Sequence, residues 1–200
     1  MPNDDTLIGI IPTKLGVRLF PGETFEWKSE VLIPLFHEWI RRGIPEGIPI
    51  DVADYSHLPE GPVTMIVGHE GDLICERQPG RSSLVYLLKR STSGETRTSD
   101  ALGTALERAF QCAASLEKEY PVEPRPHFNA ARLEIFFNDR LNAPNTAEFY
   151  ETIEPAVQNA FVSYPGLGIL AIGRVENDPR ERLTVSVESV NHSQISLDAL

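Results

Sequence analysis

Residues 50–72 read IDVADYSHLPEGPVTMIVGHEGD, two apolar runs joined by a dense set of turn-forming residues. The first run predicts a strand over residues 48–53, and the β-branched residues of the second run predict another over 63–69. Between them, residues 54–62 contain prolines, a glycine and polar side chains, a composition typical of a loop. We therefore expect two neighbouring strands with a long loop between them.

The chain on both sides of this unit alternates strands with amphipathic helices. Apolar residues recur at helical spacing over 29–42, and Gly43 supplies a stop signal. Two more helices are predicted over 99–120, with Ser99 as N-cap, and over 146–161. Further strands are predicted over 17–20, 84–89, 132–138, 169–173 and 183–187. Residues 71–80 look like a hairpin-like excursion between strands.

The second half of the chain repeats the first in outline. VRLF from Val17 corresponds to LEIF from Leu133, and EVLIPLF from Glu30 matches ETIEPAV from Glu151 in the step from glutamate to proline. The run that starts at residue 54 parallels SYPGLGILAIG, and SSLVYLLKR parallels ERLTVSVES as a closing strand. The alternative is that any two α+β segments can be aligned in this way by eye.

These patterns predict an α+β fold in which pseudo-duplicated strand–helix–strand–strand units form a mostly antiparallel sheet with helices packed on one face. The predicted organisation is a loose leader (1–16), a single pseudo-twofold domain (17–190) and a polar tail (191–200). Within the domain, repeat one covers 17–90, a connecting helix 99–120 and repeat two 132–190. Pro34 and Pro155 fall inside predicted helices, so each helix either begins near its proline or is kinked there. A late start is open for Pro34, and a kink is favoured for Pro155.

Composition limits the classes of partner. The chain has 200 residues, 18 basic and 29 acidic, for a formal charge of −11. A net-negative surface repels phosphate backbones, so we expect no nucleic-acid partner. No stretch has the ~20 apolar residues that cross a bilayer, so we expect no membrane association. The acidic N-terminus lacks a signal-peptide pattern, which predicts a cytoplasmic protein. Cys75 and Cys112 form no C-x-x-C motif and are interpreted as buried apolar residues.

The candidate ligand-binding residues are Asp51, Asp54, His57, His69 and Glu70. Histidine exchanges protons near neutral pH, and imidazole with carboxylate ligands suits zinc, manganese or iron. The corresponding part of the second half has no histidine, so these groups are an addition of the first half. Their spacing matches no recognised metal motif, however, and the sequence specifies no metal, cofactor or small-molecule ligand. Side-chain bonds that cap the turn, and a strand-end histidine, are the structural alternatives.

The combination of IPLFHEWI with IDVADYSHLPEGPVTMIVGHEG resembles a bacterial protein family of uncharacterised activity, over roughly the first ninety residues. The resemblance implies a soluble bacterial protein and assigns no functional residue. Function is therefore expected to be that of a binding or protein-interaction module, with a protein partner or a homo-oligomer left open. The alternative is a small metal-assisted or acid–base enzyme whose site lies in residues 50–72.

Overall fold

The structure is a computed structural model that describes residues 14–22, 24–89, 98–191 and 193–200. Its strands are β1 (Leu15–Pro21), β2 (Pro49–Asp54), β3 (Gly61–Gly68), β4 (Gly71–Gln78), β5 (Arg81–Leu88), β6 (Phe128–Phe137), β7 (Leu170–Arg174) and β8 (Thr184–Ser189). Its α-helices are α1 (Ser29–Arg42), α2 (Thr98–Glu119) and α3 (Ala147–Ala160), and short 3-10 helices cover Pro165–Leu167 and Leu197–Ala199.

The strands form one sheet in the order β2-β3-β4-β5-β1-β6-β8-β7, and every neighbouring pair is antiparallel. The helices pack on one face of this sheet. Helix α1 lies on β2 and β3, α2 lies on β5 and β1, and α3 lies beside α2 and β7. The predicted α+β fold, with an antiparallel sheet and helices on one face, is confirmed.

Helix α1 has the bounds that its apolar spacing predicts. Its buried residues are Ser29, Leu32, Phe36 and Trp39. These residues recur three or four positions apart and so share the side of the helix that faces the sheet. Gly43 ends the helix in the left-handed region, with φ of 73°. Pro34 lies inside α1 and not at its start, so the late start considered for this helix is wrong; Pro155 likewise lies inside α3.

One hydrophobic core fills the space between the sheet and the helices. Its largest fully buried side chains come from both layers and include Trp39, Tyr86, Tyr120, Phe36, Phe128 and Phe137. The interpretation of the cysteines as buried residues is confirmed, because Cys75 on β4 and Cys112 on α2 are both free and lie in this core. Burial raises the pKa of the Cys112 thiol to about 12.

Two segments differ from the prediction. Residues 71–78 form a full strand, β4, and not merely an excursion, since Leu73 and Cys75 lie in the core and Asp72, Ile74 and Glu76 alternate with them. The last residues are more than a polar tail: Ile195 and Leu197 are buried in the core, and the amide of Ala130 donates to the carbonyl of Ile195 at 2.9 Å. Most of the predicted leader (1–16) and of the polar linker (91–100) lies outside the described residues.

The sheet order bears on the predicted duplication. The opening strands β1 and β6 are antiparallel neighbours at the centre, with Leu19 opposite Leu133. Each is flanked by its closing strand, β5 or β8, and the first strand after each repeat helix, β2 or β7, lies at an edge. The hairpin of β3 and β4 has no counterpart in the second half, so the sequence alignment of β3 with β7 pairs strands in different positions. Duplication itself stays a prediction.

Candidate functional site

The predicted site residues lie near the two ends of strand β3. Asp51 and Asp54 lie on β2, and His57 lies in the loop that follows it. His69 and Glu70 lie in the turn between β3 and β4, at the other end of β3. The strand between the two histidines has eight residues, a length of about 26 Å at the ordinary rise per residue. The five residues therefore lie toward two ends of β3, and their role in ligand binding stays a prediction.

Asp54 links strand β2 to helix α1. Its Oδ1 accepts hydrogen bonds from the Ser29 hydroxyl at 2.8 Å and from the Ser56 amide at 2.9 Å. The Ser56 amide, with the Ser29 hydroxyl second, holds the pKa of the Asp54 carboxyl below its usual value. These bonds fix the turn after β2 and the first turn of α1, which is the capping role considered from the sequence.

Glu70 belongs to a buried ion pair that ties helix α2 to the sheet. Its Oε2 lies 3.2 Å from Nη1 of Arg108, which also donates to the Tyr86 hydroxyl at 3.2 Å and to the backbone carbonyl of Glu46. A Cβ at Gly47 would collide with the Arg108 guanidinium, so the backbone approaches it only because this residue is glycine. Glu70 therefore has a structural role as the counter-charge of Arg108.

The remaining candidates are exposed and separate. His57 and His69 are both exposed, and Asp51 accepts a bond only from the neighbouring Val52 amide, at 2.8 Å, among the described residues. Within the described part of the chain, no group of three or more histidine, cysteine or acidic residues could hold a metal ion.

The sheet face opposite the helices, which we call the uncovered face, offers a different surface. Residues of the core face are paired across the sheet by register, as in Ile66–Leu73–Tyr86–Val17–Ile135–Val185. The alternate residues must point to the uncovered face, because successive side chains of a strand point to opposite sides. No helix in residues 14–22, 24–89, 98–191 or 193–200 packs on that face.

The uncovered face is apolar over the first half of the sheet. Its register places Ala53 beside Met65, Met65 beside Ile74 and Ile74 beside Val85, across strands β2 to β5. On the next row, Val67 and Leu87 lie on either side of the buried Asp72, which is paired with Lys89 at 2.7 Å. None of these apolar side chains belongs to the core between sheet and helices, and all but the buried Val85 are half-buried. We call Ala53, Met65, Val67, Ile74, Val85 and Leu87 the apolar patch.

The second half of the same face is polar. Continuing the row, Arg18 lies beside Glu134, Glu134 beside Ser186 and Ser186 beside Gly173. The large apolar side chain there, Phe136, is covered, since the Arg182 guanidinium lies 3.7 Å from its ring centroid. Strands β6 and β8 thus alternate as expected for a sheet with one wet face. In β3, β4 and β5 the alternation is interrupted by the apolar residues of this face, such as Met65, Ile74 and Val85.

A charged network separates the two halves. Arg18, only 4% exposed, donates to Glu134 at 2.7 Å and to Glu76 at 3.1 Å. Arg81 donates to Glu134 at 3.1 Å, and the Ser83 hydroxyl donates to Glu76 at 3.0 Å. The carboxylates of this network already have basic partners. The apolar patch is therefore bordered on its inner side by satisfied charges.

A comparison with protein families, with curated proteins and with solved structures finds no match for this chain. In the described residues, no helix combines the length and the apolar character that crossing a bilayer requires.

Three runs of the sequence are a signal for the apolar patch. MIV in β3, LIC in β4 and LVYLL in β5 are continuous apolar runs. Such runs are typical of strands that are covered on both faces, while alternation is typical of one wet face. A lone sequence does not show which face of the sheet the helices cover. It therefore could not show that, among the described residues, helices cover only one face of these strands.

Proposed function

We propose that the protein is a protein-interaction module that binds its partner through the apolar patch. One observation carries this proposal: the apolar patch of strands β2 to β5 lies, inside a border of charged side chains, on the face that no helix of the described residues covers. Contiguous apolar surface that is left accessible marks interaction sites in soluble proteins. The polar second half of the same sheet provides an internal comparison, because there the uncovered face follows the pattern of a solvated surface.

The partner that fits is a different protein with an apolar centre and a basic border. The outer border of the patch is acidic: Asp51 and Glu60 are exposed, and neither has a basic side chain as an ion-pair partner among the described residues. The chain itself carries a formal charge of −11. A second copy would bring like charge to the contact, and like charges placed against each other disfavour association.

The test starts from capture of binding proteins from cell extract, followed by titration of each purified candidate by calorimetry. Met65→Gln removes apolar character at nearly constant side-chain size, and Ile74→Thr removes it while keeping the β-branch that favours a strand. Loss of a buried apolar anchor costs about 1 to 3 kcal/mol, so each variant should weaken binding by about tenfold or more.

Ile169→Thr is the matched control, because Ile169 is 63% exposed and lies before β7, at the opposite edge of the sheet. It should leave the affinity unchanged. Binding that survives both patch variants would contradict the proposal. Light scattering that shows a dimer of the purified chain, lost in the Met65 and Ile74 variants, would replace the partner by a second copy.

The enzyme alternative is not carried forward, since no observation brings its candidate residues together. A cytoplasmic location remains part of the proposal and rests on the sequence alone.

A further inference from the structure

A cleft on the second half of the molecule is lined mainly by arginines. It lies between the segment that follows β6 and the loop between β7 and β8, with a volume of about 310 Å³. Its lining residues are Asn138, Arg140, Arg180, Glu181 and Arg182. The cleft therefore carries three guanidinium groups and one carboxylate, in a chain whose acidic residues outnumber its basic residues by 29 to 18. The Arg180 guanidinium is already paired with the Asp178 carboxylate, at 2.8 Å and 3.1 Å, which leaves Arg140 and Arg182 to face an anion. Such a concentration of positive charge attracts anions.

The Arg182 guanidinium forms no ion pair in the described part of the chain, although Glu76, Glu134 and Glu181 are close enough to act on its charge. Its guanidinium stacks over the Phe136 ring, at 3.7 Å from the centroid, and makes no ion pair or hydrogen bond with a described residue. Burial, together with the nearby charge of Arg18, lowers the pKa of Arg182. A guanidinium has five N–H donors, and leaving them unsatisfied in a partly buried position is costly. An anion in the cleft would satisfy them.

The loop that carries Arg180 and Arg182 is held in place by several hydrogen bonds to neighbouring segments. The buried Asn145 amide donates to the side chain of Asn177 and, at 3.2 Å, to the carbonyl of Asp178. Asp178 Oδ1 accepts the Arg180 amide at 2.9 Å, and Arg140 donates to the Arg180 carbonyl. At the end of the loop, the amide of Phe137 donates to the carbonyl of Leu183 at 2.9 Å. A loop fixed in this way is ordered before a ligand arrives, which lowers the entropy cost of binding.

We propose that this cleft binds the phosphoryl group of a small molecule. A carboxylate has two oxygens, which a single arginine can satisfy with a bidentate pair, whereas a phosphoryl group presents three oxygens and up to two negative charges. Arg140 and Arg182, which come from two segments, match the second case, and Arg180 lies beside them paired with Asp178. Arginine is also the residue whose planar, always charged donor set is most used for phosphate recognition. The cleft has the size of an ordinary small-molecule site.

The test is calorimetric titration of the full chain with inorganic phosphate, with phenyl phosphate and with acetate at equal ionic strength. We expect both phosphates to bind at least about tenfold more tightly than acetate, since charge-assisted bonds to extra oxygens are involved. Preference for phenyl phosphate over inorganic phosphate would identify an ester as the ligand, and equal affinity would identify the free ion. Binding should strengthen from pH 5 to pH 7.5, because the second phosphate proton leaves near pH 6.

Arg182→Gln and Arg140→Gln should each weaken phosphate binding by about tenfold. Arg140 is exposed, so its variant remains informative if loss of the stacking on Phe136 destabilises the Arg182 variant. Arg125→Gln is the matched control, because Arg125 precedes β6 and so lies at the opposite end of that ten-residue strand. The proposal is overturned if acetate binds as well as phosphate, if neither phosphate binds, or if the folded Arg182 and Arg140 variants bind like wild type. Met65→Gln should leave phosphate binding unchanged, so this inference does not depend on the proposed partner surface.

Discussion

Single residues in the stretch 50–72 have unequal roles although their types are alike. Glu70 is mostly buried and paired with Arg108, whereas Asp51 is exposed and bonds only to a neighbouring amide. Both are acidic residues beside apolar strands, and the sequence gives no means of ranking them. Their energetic weight follows from the partner that the fold brings to each.

Glu70→Gln should lower the free energy of unfolding by about 1 to 3 kcal/mol, because it leaves the Arg108 charge partly buried without its counter-charge. Asp51→Asn should change it by less than about 0.5 kcal/mol, as is usual for surface positions. Urea unfolding monitored by circular dichroism measures both. Equal midpoints for the two variants would show that the Glu70–Arg108 pair does not stabilise the fold.

The distance between the two candidate histidines could not be predicted from the sequence alone. His57 and His69 are twelve positions apart, which a tight loop could have brought together. The strand between them is fully extended and paired on both sides, so it holds them at opposite ends. Strand bounds were predictable from the apolar run, but the separation of two side chains depends on the register with neighbouring strands, and register requires knowledge of the partners.

Among the elements, strand β7 shows how the sheet edge is protected. The Val190 amide donates to the carbonyl of Ile169, so the odd-numbered residues that follow on β7 form their hydrogen bonds with β8. The carbonyl of Ile172, an even-numbered residue, therefore points away from β8. The Tyr150 hydroxyl of α3 lies 3.2 Å from this carbonyl and 3.0 Å from Oε1 of Glu154, and it donates to them. Covering an edge with a helix is a known way to prevent strand addition.

Desolvation, with the Glu154 carboxylate second, raises the pKa of Tyr150 to about 12. The fold therefore favours the neutral phenol, and this contribution to stability is complete below the ordinary tyrosine pKa near 10 and is lost as the pH rises from there toward 12. Stability should fall between pH 9 and pH 11, and the fall should be smaller in Tyr150→Phe than in wild type.

Urea midpoints at the two pH values give the comparison, and Tyr55→Phe is its control. The Tyr55 hydroxyl has no hydrogen-bond partner among the described side chains, so this variant should show the same fall as wild type. A fall of equal size in the Tyr150 variant would exclude Tyr150 as a source of the pH dependence.

Helix bounds were the most predictable feature of the elements, and β4 the least. Helices α1 and α3 carry a wide apolar stripe with a clear stop signal or N-cap, and they lie within a residue of their predicted ends. In β4, the apolar run from Leu73 to Cys75 is short and lies between charged residues, a pattern that also fits an exposed hairpin. Only pairing with β3 and β5 makes it an interior strand.

At the scale of the whole molecule, the C-terminal segment closes the core. Ile195 and Leu197 are 8% and 7% exposed and pack beside β6 and α2. Burial of each side chain is worth about 1.5 to 3 kcal/mol. Deletion of residues 193–200 should therefore cost about 3 to 6 kcal/mol, a large share of the stability of an ordinary domain.

Thermal unfolding of the truncated chain provides the measurement, and Val190→Ala is the control because Val190 is 60% exposed. An unchanged midpoint after truncation would mean that the segment is the dispensable polar tail that its composition predicts. Composition misleads here because two apolar side chains among polar ones suffice to anchor a short segment.

The central position of β1 has a consequence for the order in which the chain can fold during synthesis. Leu15 pairs with Leu88 on one side and with Phe137 on the other. Ribosomes add about 5 to 20 residues per second. The second pairing partner therefore emerges roughly 6 to 24 seconds after β1 itself, since 122 residues separate Leu15 from Phe137. Until then the middle of the sheet has an open side, and the two halves can join only after β6 has been made, which makes their union a late step in the life of the nascent chain.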